Sequence, residues 1–275
     1  MLYIVATPIG NLDDISFRAI KTLAEVDKIA AEDTRHSKQL LHHLKIRKPL
    51  IALHEHNEQA QAERLIECLR AGEKIAIISD AGTPLISDPG FRLVKLAHEN
   101  NIKVIPIPGP CALITALCAS GVASDRFVFE GFLPAKSSAR KTYLKTLSEE
   151  PRTIIFYEAP HRLKSALEDI GEIFGPMRHA ALARELTKTF ETIQYGELKY
   201  LLDFVTNDLN QQKGEMVIIV AGSEKIVATG ISSDAKKMLV ILLEELPLKQ
   251  AVNLVAKITR ESKNTLYDYG LTCLR

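Results

Sequence analysis

Short strand-like apolar runs alternate with amphipathic helical patterns through the first 120 residues, and this alternation constrains the fold more than any other feature of the chain. Runs at 2–6, 28–31, 50–53, 74–79 and 103–107 have the length and composition of strands. Patterns of helical period lie between them at 15–24, 37–44, 57–71 and 91–99. A further helix is predicted from Pro110, because proline suits a first helical turn. Strand–helix–strand order of this kind predicts a mostly parallel sheet covered on both faces. Asn57 is expected to cap the helix that follows it.

The pattern changes after Ser120. Strand-like runs at 127–132, 153–158, 179–185, 189–197 and 216–221 mix with helices at 160–174 and 198–206. This predicts a second α/β domain with antiparallel strands. From Ser233 the chain reads as helical, with Pro247 separating 234–246 from 248–259 and Ser262 as the cap of a third short helix. Leu248, Ala251, Val252 and Val255 share one helix face. Helix, helix, tight turn and short helix resembles a helix-turn-helix module, although plain three-helix packing fits the same pattern. The expected division is therefore 1–120, 121–232 and 233–275.

A chain of 275 residues suits about two domains plus a small addition. With 46% hydrophobic and 25% charged residues it is an ordinary globular composition. A formal net charge of +1 excludes a simple nucleic-acid-coating protein, so any RNA contact must use local patches. The four cysteines form no C-x-x-C pair, which argues against a zinc ribbon and suits a reducing cytoplasm. His54-Glu55-His56 lacks a clear third ligand, so no metal site is expected. Pro106, Pro108 and Pro110 break the longest apolar run, which makes a membrane span untenable.

In open α/β sheets ligands bind beyond the carboxyl ends of the strands. Three successive exits are rich in glycine and proline: Ala6-Thr7-Pro8-Ile9-Gly10-Asn11-Leu12, Ser79-Asp80-Ala81-Gly82-Thr83-Pro84 continuing to Ser87-Asp88-Pro89-Gly90, and Pro106-Ile107-Pro108-Gly109-Pro110. Glycine admits close approach to a ligand and proline fixes loop shape. Neither G-x-G-x-x-G after the first strand nor a Walker motif is present, so the site depends on neither of those phosphate-cradling loops.

Thr7-Pro8-Ile9-Gly10-Asn11-Leu12, Glu32-Asp33-Thr34-Arg35, Ser79-Asp80-Ala81-Gly82-Thr83-Pro84 and Pro108-Gly109-Pro110 resemble the successive signatures of the tetrapyrrole-methylase class (class III) of S-adenosylmethionine-dependent methyltransferases. Phe156-Tyr157-Glu158-Ala159-Pro160-His161-Arg162 and Arg184-Glu185-Leu186-Thr187-Lys188 resemble its ribosomal RNA branch, the cytidine-2'-O-methyltransferases of the bacterial small subunit. The resemblance covers nearly the whole chain, in order. It implies two α/β domains with S-adenosyl-L-methionine in the cleft between them, a homodimer, and 16S ribosomal RNA or the small subunit as partner. Carried over by motif, it implies donor contacts at Pro8, Gly10, Asp80, Gly82, Leu85, Ile86 and Pro110. The second domain is expected to add Ala183, Gly214, Glu215 and Met216.

Methyl transfer to a ribose hydroxyl is an in-line displacement, so much of the catalysis should be positioning, helped by a base within hydrogen-bond reach. The polar clusters make Asp33, Glu158, Glu185 and Lys188 the catalytic candidates, with Glu158, Arg184 and Glu185 facing the cleft and Asp33 and Arg35 opposite. The RNA-contact candidates are Arg35 and the segment 131–147, which carries Lys136, Arg140, Lys141 and Lys145 and no acidic residue. Ser137 and Ser138 there read as a mobile loop entering a helix. The helical tail holds seven basic and five acidic residues, too small an excess to argue RNA binding by charge. The competing readings are a methyltransferase for a porphyrin-like macrocycle, a relative that modifies an elongation factor, and a donor-sensing helix-turn-helix regulator.

Overall fold

The computed structural model describes residues 1–223, 231, 233–259 and 261–273. Packing divides the chain into two units, Met1–Gly222 and Ser223–Arg275. The expected 233–275 segment includes Arg260, Leu274 and Arg275, which lie outside the described residues.

The first unit contains two five-stranded sheets. In the first, β1 (Leu2–Val5), β2 (Lys28–Ala31), β3 (Leu50–Ala52), β4 (Ile75–Ile78) and β5 (Val104–Ile107) are all parallel, in the order β3-β2-β4-β1-β5. They alternate with α1 (Phe17–Glu25), α2 (Thr34–His43), α3 (Glu58–Arg70), α4 (Phe91–Glu99) and α5 (Ala112–Ala119). Both faces of this sheet are buried. Leu2, Ile75 and Ile77 pack with Leu65 of α3 and Leu93 of α4, while Val5, Ala76 and Ile78 pack with Leu23 of α1 and Leu41 of α2. This is why the strands read as unbroken apolar runs.

The connections make the chain reverse beside β1. It leaves β1 toward β2 and β3, returns to β4 next to β1, then crosses to β5 on the other side. The helices that follow β1 and β4 therefore pack on opposite faces, α1 on one and α4 on the other, and a crevice opens beyond the carboxyl ends of these strands.

The second sheet comprises β6 (Phe127–Phe132), β7 (Thr153–Glu158), β8 (His179–Arg184), β9 (Thr192–Glu197) and β10 (Met216–Val220), in the order β6-β7-β10-β8-β9. It is mixed rather than antiparallel throughout, because β6 and β7 run parallel through the crossover helix α6 (Ser137–Leu147). α7 (Leu163–Phe174) and α8 (Leu198–Asn207) cover one face together with α6. On the other face, α5 and Ile9 pack against Ile155, Ala181, Val217 and Ile219. That shared core joins the two sheets into one packed unit.

Three local expectations are corrected. The helix expected from Pro110 begins at Ala112, with Cys111 in extended backbone before it. Asn57 flanks α3 but its side chain does not cap it: Asn57 Oδ1 accepts from His54 N and Nδ2 donates to Ala52 O, closing the turn out of β3 instead. Ser137 opens α6 with its hydroxyl on Asp169 of α7, so this entry to the helix is anchored by a side chain.

In the second unit, α9 (Ser233–Leu243), α10 (Leu248–Thr259) and α11 (Lys263–Cys273) enclose their own core of Ala235, Leu239, Ala251, Val252, Val255 and Leu266. Pro247 marks the break between α9 and α10, as its missing N–H and fixed φ require.

Candidate active site

The first two strand exits are stitched together. Thr7 and Gly82 exchange backbone hydrogen bonds of 2.8 and 3.0 Å, Thr7 Oγ1 donates to Ser79 O, and Ser79 Oγ donates to Gly82 O. Gly82 has φ +87°, and a Cβ there would stand 3.2 Å from Ile9 Cγ2, so glycine is what allows this approach. The third exit joins through Thr83 Oγ1, which donates to Pro110 O at 2.9 Å. A loop of the second sheet closes on the first: Asn11 N donates to Thr187 Oγ1, and the open space at Gly10 is filled by the stem of Lys188.

Between these loops lies a cleft of about 430 Å³. From the first sheet's loops come Ile9, Glu32, Asp80–Thr83 and Ile86–Asp88; from the second come Tyr157–Pro160, Leu186 and Glu215–Val217. Among the described residues its wall carries five carboxylates, on Glu32, Asp80, Asp88, Glu158 and Glu215, and no lysine, arginine or histidine. Burial, reinforced by Glu32, pushes the Asp88 carboxyl up to about 7, although the Ser79 hydroxyl pulls the other way. Glu32 is raised by burial and by the neighbouring Asp80 and Asp33. Glu158 and Glu215 are paired with Arg162 and Lys188 beside the wall, so the crowding of like charge falls on Glu32, Asp80 and Asp88, where a cation relieves it.

Backbone strain collects at the same place. Of six non-glycine residues with positive φ among the described residues, Leu85 and Ser87 lie in one loop of the cleft and Glu185 and Thr187 in the facing one. Left-handed backbone costs such residues roughly 1–2 kcal/mol each and persists where surrounding structure enforces it.

Of the expected donor contacts, Asp80, Gly82, Ile86, Glu215 and Met216 line the cleft. Pro8, Gly10, Leu85, Pro110, Ala183 and Gly214 are absent from its wall. Gly10 and Gly214 instead give room to the side chains of Lys188 and Glu185, and Ala183 is fully buried in the core behind. Among the expected catalytic residues, Glu158 lines the cleft and is 2% exposed. Its Oε1 accepts from Ala159 N and pairs with Arg162; its Oε2 is buried with no hydrogen-bond partner among the described residues. Glu185 and Lys188 form a brace. Glu185 Oε1 accepts from Lys188 Nζ and Glu215 N, each at 2.9 Å, and Lys188 also reaches Glu215 Oε2. Burial opposes both charges, but these bonds outweigh it, lowering the Glu185 carboxyl and raising the Lys188 ammonium. Lys188 is therefore held protonated.

Three expected placements are corrected. Asp33 is not in the cleft wall: it flanks the N-terminus of α2, accepts from Arg35 N at 2.7 Å and pairs with the Arg35 guanidinium, which holds its carboxyl down at about 2. Its backbone N–H, not its side chain, serves the cleft, by donating to Asp80 Oδ1. Arg184 does not face the cleft: its guanidinium binds Gln211 Oε1, Lys213 O and Phe190 O, clamping together the loops that lead into β9 and β10. Arg140 is 1% exposed and paired with Asp169 at 2.7 Å, so it presents no charge to RNA. Lys141 spends its charge on Glu172 and Asp169, while Lys136 and Lys145 are exposed.

Asp88 and Tyr157 are cleft residues that the sequence reading passed over. Asp88 stands in the quoted Ser87-Asp88-Pro89-Gly90 segment, and a carboxylate in a strand-exit loop was its only signal. Tyr157 is half-buried, its hydroxyl accepts from Leu113 N, and desolvation pushes it well above the usual phenol range.

Residues 1–202 match the family Tetrapyrrole (Corrin/Porphyrin) Methylases. The chain belongs to that family. It is a family of methyltransferases, so a methyl donor is implied. Residues 229–273 match the RsmI C-terminal HTH domain. Among curated members, the chain is 57% identical to "Ribosomal RNA small subunit methyltransferase I" of Haemophilus influenzae, over 100% of this chain and 97% of the relative. It is 56% identical to the protein of that name in Pseudomonas aeruginosa, over 98% and 96%. The fold recurs in a solved uroporphyrin-III-C-methyltransferase from Thermus thermophilus, at TM-score 0.54 and 18% identity over 80% of this chain and 93% of that one. It recurs also in a diphthine synthase, at TM-score 0.58 and 13% identity over 80% and 89%. Family and fold thus agree with the resemblance read from the sequence motifs. Among the described residues no helix is long and apolar enough to cross a membrane.

Proposed function

We propose that this tetrapyrrole-methylase family member transfers a methyl group from S-adenosyl-L-methionine to the 2'-hydroxyl of a cytidine in 16S ribosomal RNA. A cleft walled by five carboxylates and no cation carries the reading, because the donor is a cation at both its sulfonium and its ammonium group. Its relatives over the full length bear the name of a small-subunit ribosomal RNA methyltransferase. The cleft suits the donor in other respects: Gly82 keeps a close-approach surface open, Glu158 Oε2 is buried and unpartnered, and Ile9, Ile86, Leu186 and Met216 offer apolar contact for an adenine ring.

In this reading Asp80, Asp88 and Glu215 hold the charged parts of the donor, and Ile86 and Met216 its apolar ring. The donor supplies an electrophilic methyl group on sulfur. Glu158 is the carboxylate placed to accept the hydroxyl proton, with Arg162 fixing its orientation. Glu185 and Lys188 position the loop that carries Leu186, and catalysis rests largely on such positioning. The reading assigns donor loops to 1–120, completion of the cleft to 121–232 and an RNA contact to 233–275, in a cytoplasmic homodimer.

The test is transfer of labelled methyl from S-adenosyl-L-methionine to small subunits from a strain lacking the gene, followed by digestion to nucleosides. Labelled 2'-O-methylcytidine is the expected product. No incorporation into subunits or their free RNA, with the donor still bound, overturns the reading. A spectral change on adding a porphyrinogen would then mark a macrocycle substrate.

A further inference from the structure

The donor cleft is acidic, so a polyanionic substrate that reaches it must find its cations elsewhere. A second, more open cavity of about 1160 Å³ lies along α2 and its connection to β3. Lys38, His42, Lys45, Arg47 and Lys48 line it, and among the described residues no carboxylate does. None of these four lysine and arginine side chains pairs with an acidic group among the described residues. This contrasts with α6, where Asp169 and Glu172 consume Arg140 and Lys141.

The connection is rigid where it carries the charges. Lys45 N donates to His42 O and Ile46 N to Leu41 O, the bonding of a Schellman turn at the end of α2. Ile46 is 9% exposed and packs in the core, while its neighbours Lys45 and Arg47 are exposed. Lys45 adopts φ +57° at the position where such turns favour glycine. A single cation at a helix C-terminus complements the backbone dipole. Four unpaired lysine and arginine side chains around one cavity exceed that need.

The cavity also runs toward the chemistry. Thr34 belongs to its wall, and the adjacent Asp33 donates its backbone N–H to Asp80 of the cleft. α2, about 15 Å long by its ten residues, spans the interval.

We propose that the α2–β3 cavity binds the phosphate backbone of single-stranded RNA flanking the nucleotide that enters the cleft. This rests on the reading of an RNA substrate given above, and its test separates the two. The full-length chain and a Lys38→Gln/Arg47→Gln/Lys48→Gln variant would be titrated against fluorescein-labelled single-stranded RNA and against unmodified small subunits, over a series of salt concentrations. The variant should bind at least about tenfold more weakly, with the slope of log K against log salt reduced by roughly 2–3, as loss of about three phosphate contacts requires. Donor binding should be unchanged. Lys45→Gly removes a charge while relieving the left-handed backbone; it should weaken RNA binding about two- to threefold without lowering the unfolding temperature. Unchanged affinity and salt slope in both variants overturns the proposal, as does weakening that tracks loss of self-association in sedimentation. If the wild-type chain transfers no methyl to subunits, the catalytic reading fails, but the labelled-RNA titration still decides the cavity.

Discussion

Arg140 and Asp88 show how far a residue's surroundings can redirect its chemistry. Arg140 is enclosed by Asp169, Ser165 Oγ and the carbonyls of Pro134 and Ala135, so its charge is consumed within the fold. Removing one partner of a buried pair strands the other charge. Arg140→Ala is therefore expected to destabilise the protein by about 3–5 kcal/mol, read by denaturant unfolding. An RNA-contact role would instead predict near-native stability with a reduced salt slope. Asp88 lies the other way, its carboxyl raised from an ordinary 3.8 to about 7 by burial and Glu32. Its neutral form is favoured by folding, so the stability it contributes is present below pH 4 and lost as pH rises to about 7. Asp88→Asn should gain stability relative to wild type between pH 5 and pH 8; parallel profiles would show that the carboxyl titrates normally. A cationic ligand at the same wall favours the ionised form, so donor affinity should rise through pH 7 and binding should release a proton.

At the scale of elements, the cleft is made by loops that hold one another. The exits of β1 and β4 are joined by the Thr7–Gly82 bridge, and the segment after β8 locks onto the first exit through Asn11, Thr187 and Lys188. Gly10 is a tight point of that seam. A Cβ there would stand 2.5 Å from Lys188 Cγ and 2.8 Å from Thr187 Oγ1. Gly10→Ala is thus expected to push the Glu185–Lys188 brace outward, costing about 1–3 kcal/mol of stability. It should also weaken donor binding, measured by calorimetry, although Gly10 is outside the cleft wall. Native donor affinity in this variant would show that the seam does not position the site.

Across the whole molecule, a net charge of +1 conceals a separation of sign. The cleft wall is purely acidic among its ionisable carboxyl and basic groups, and the α2–β3 cavity purely basic. Every cleft residue also lies within Met1–Gly222, while the three C-terminal helices have a core of their own. A chain ending at Gly222 is therefore expected to bind S-adenosyl-L-methionine within about twofold of the full-length affinity. A larger loss would mean that the second unit supports the cleft.

The amino-acid sequence by itself determined the parallel first sheet, because strands buried on both faces must be apolar at every position, as Ile75–Ile78 are. It located the glycine- and proline-rich exits, where local backbone geometry is written in residue type, and through its motifs it indicated the family. Asp80, Gly82 and Glu158 were legible as cleft residues for that reason. Tertiary structure alone decided which charges remain free. Arg140 and Lys136 look equivalent in a basic stretch, yet Asp169 is 29 positions beyond Arg140 and meets it only when α6 packs on α7. Asp33 and Glu32 are adjacent, but one turns to Arg35 and the other into the cleft. The cations of 38–48 line one cavity only because the turn after α2 gathers them there, with no carboxylate in its wall among the described residues. Charge neutralisation acts over a few ångströms of space rather than a few positions of chain, and only the folded structure sets those distances.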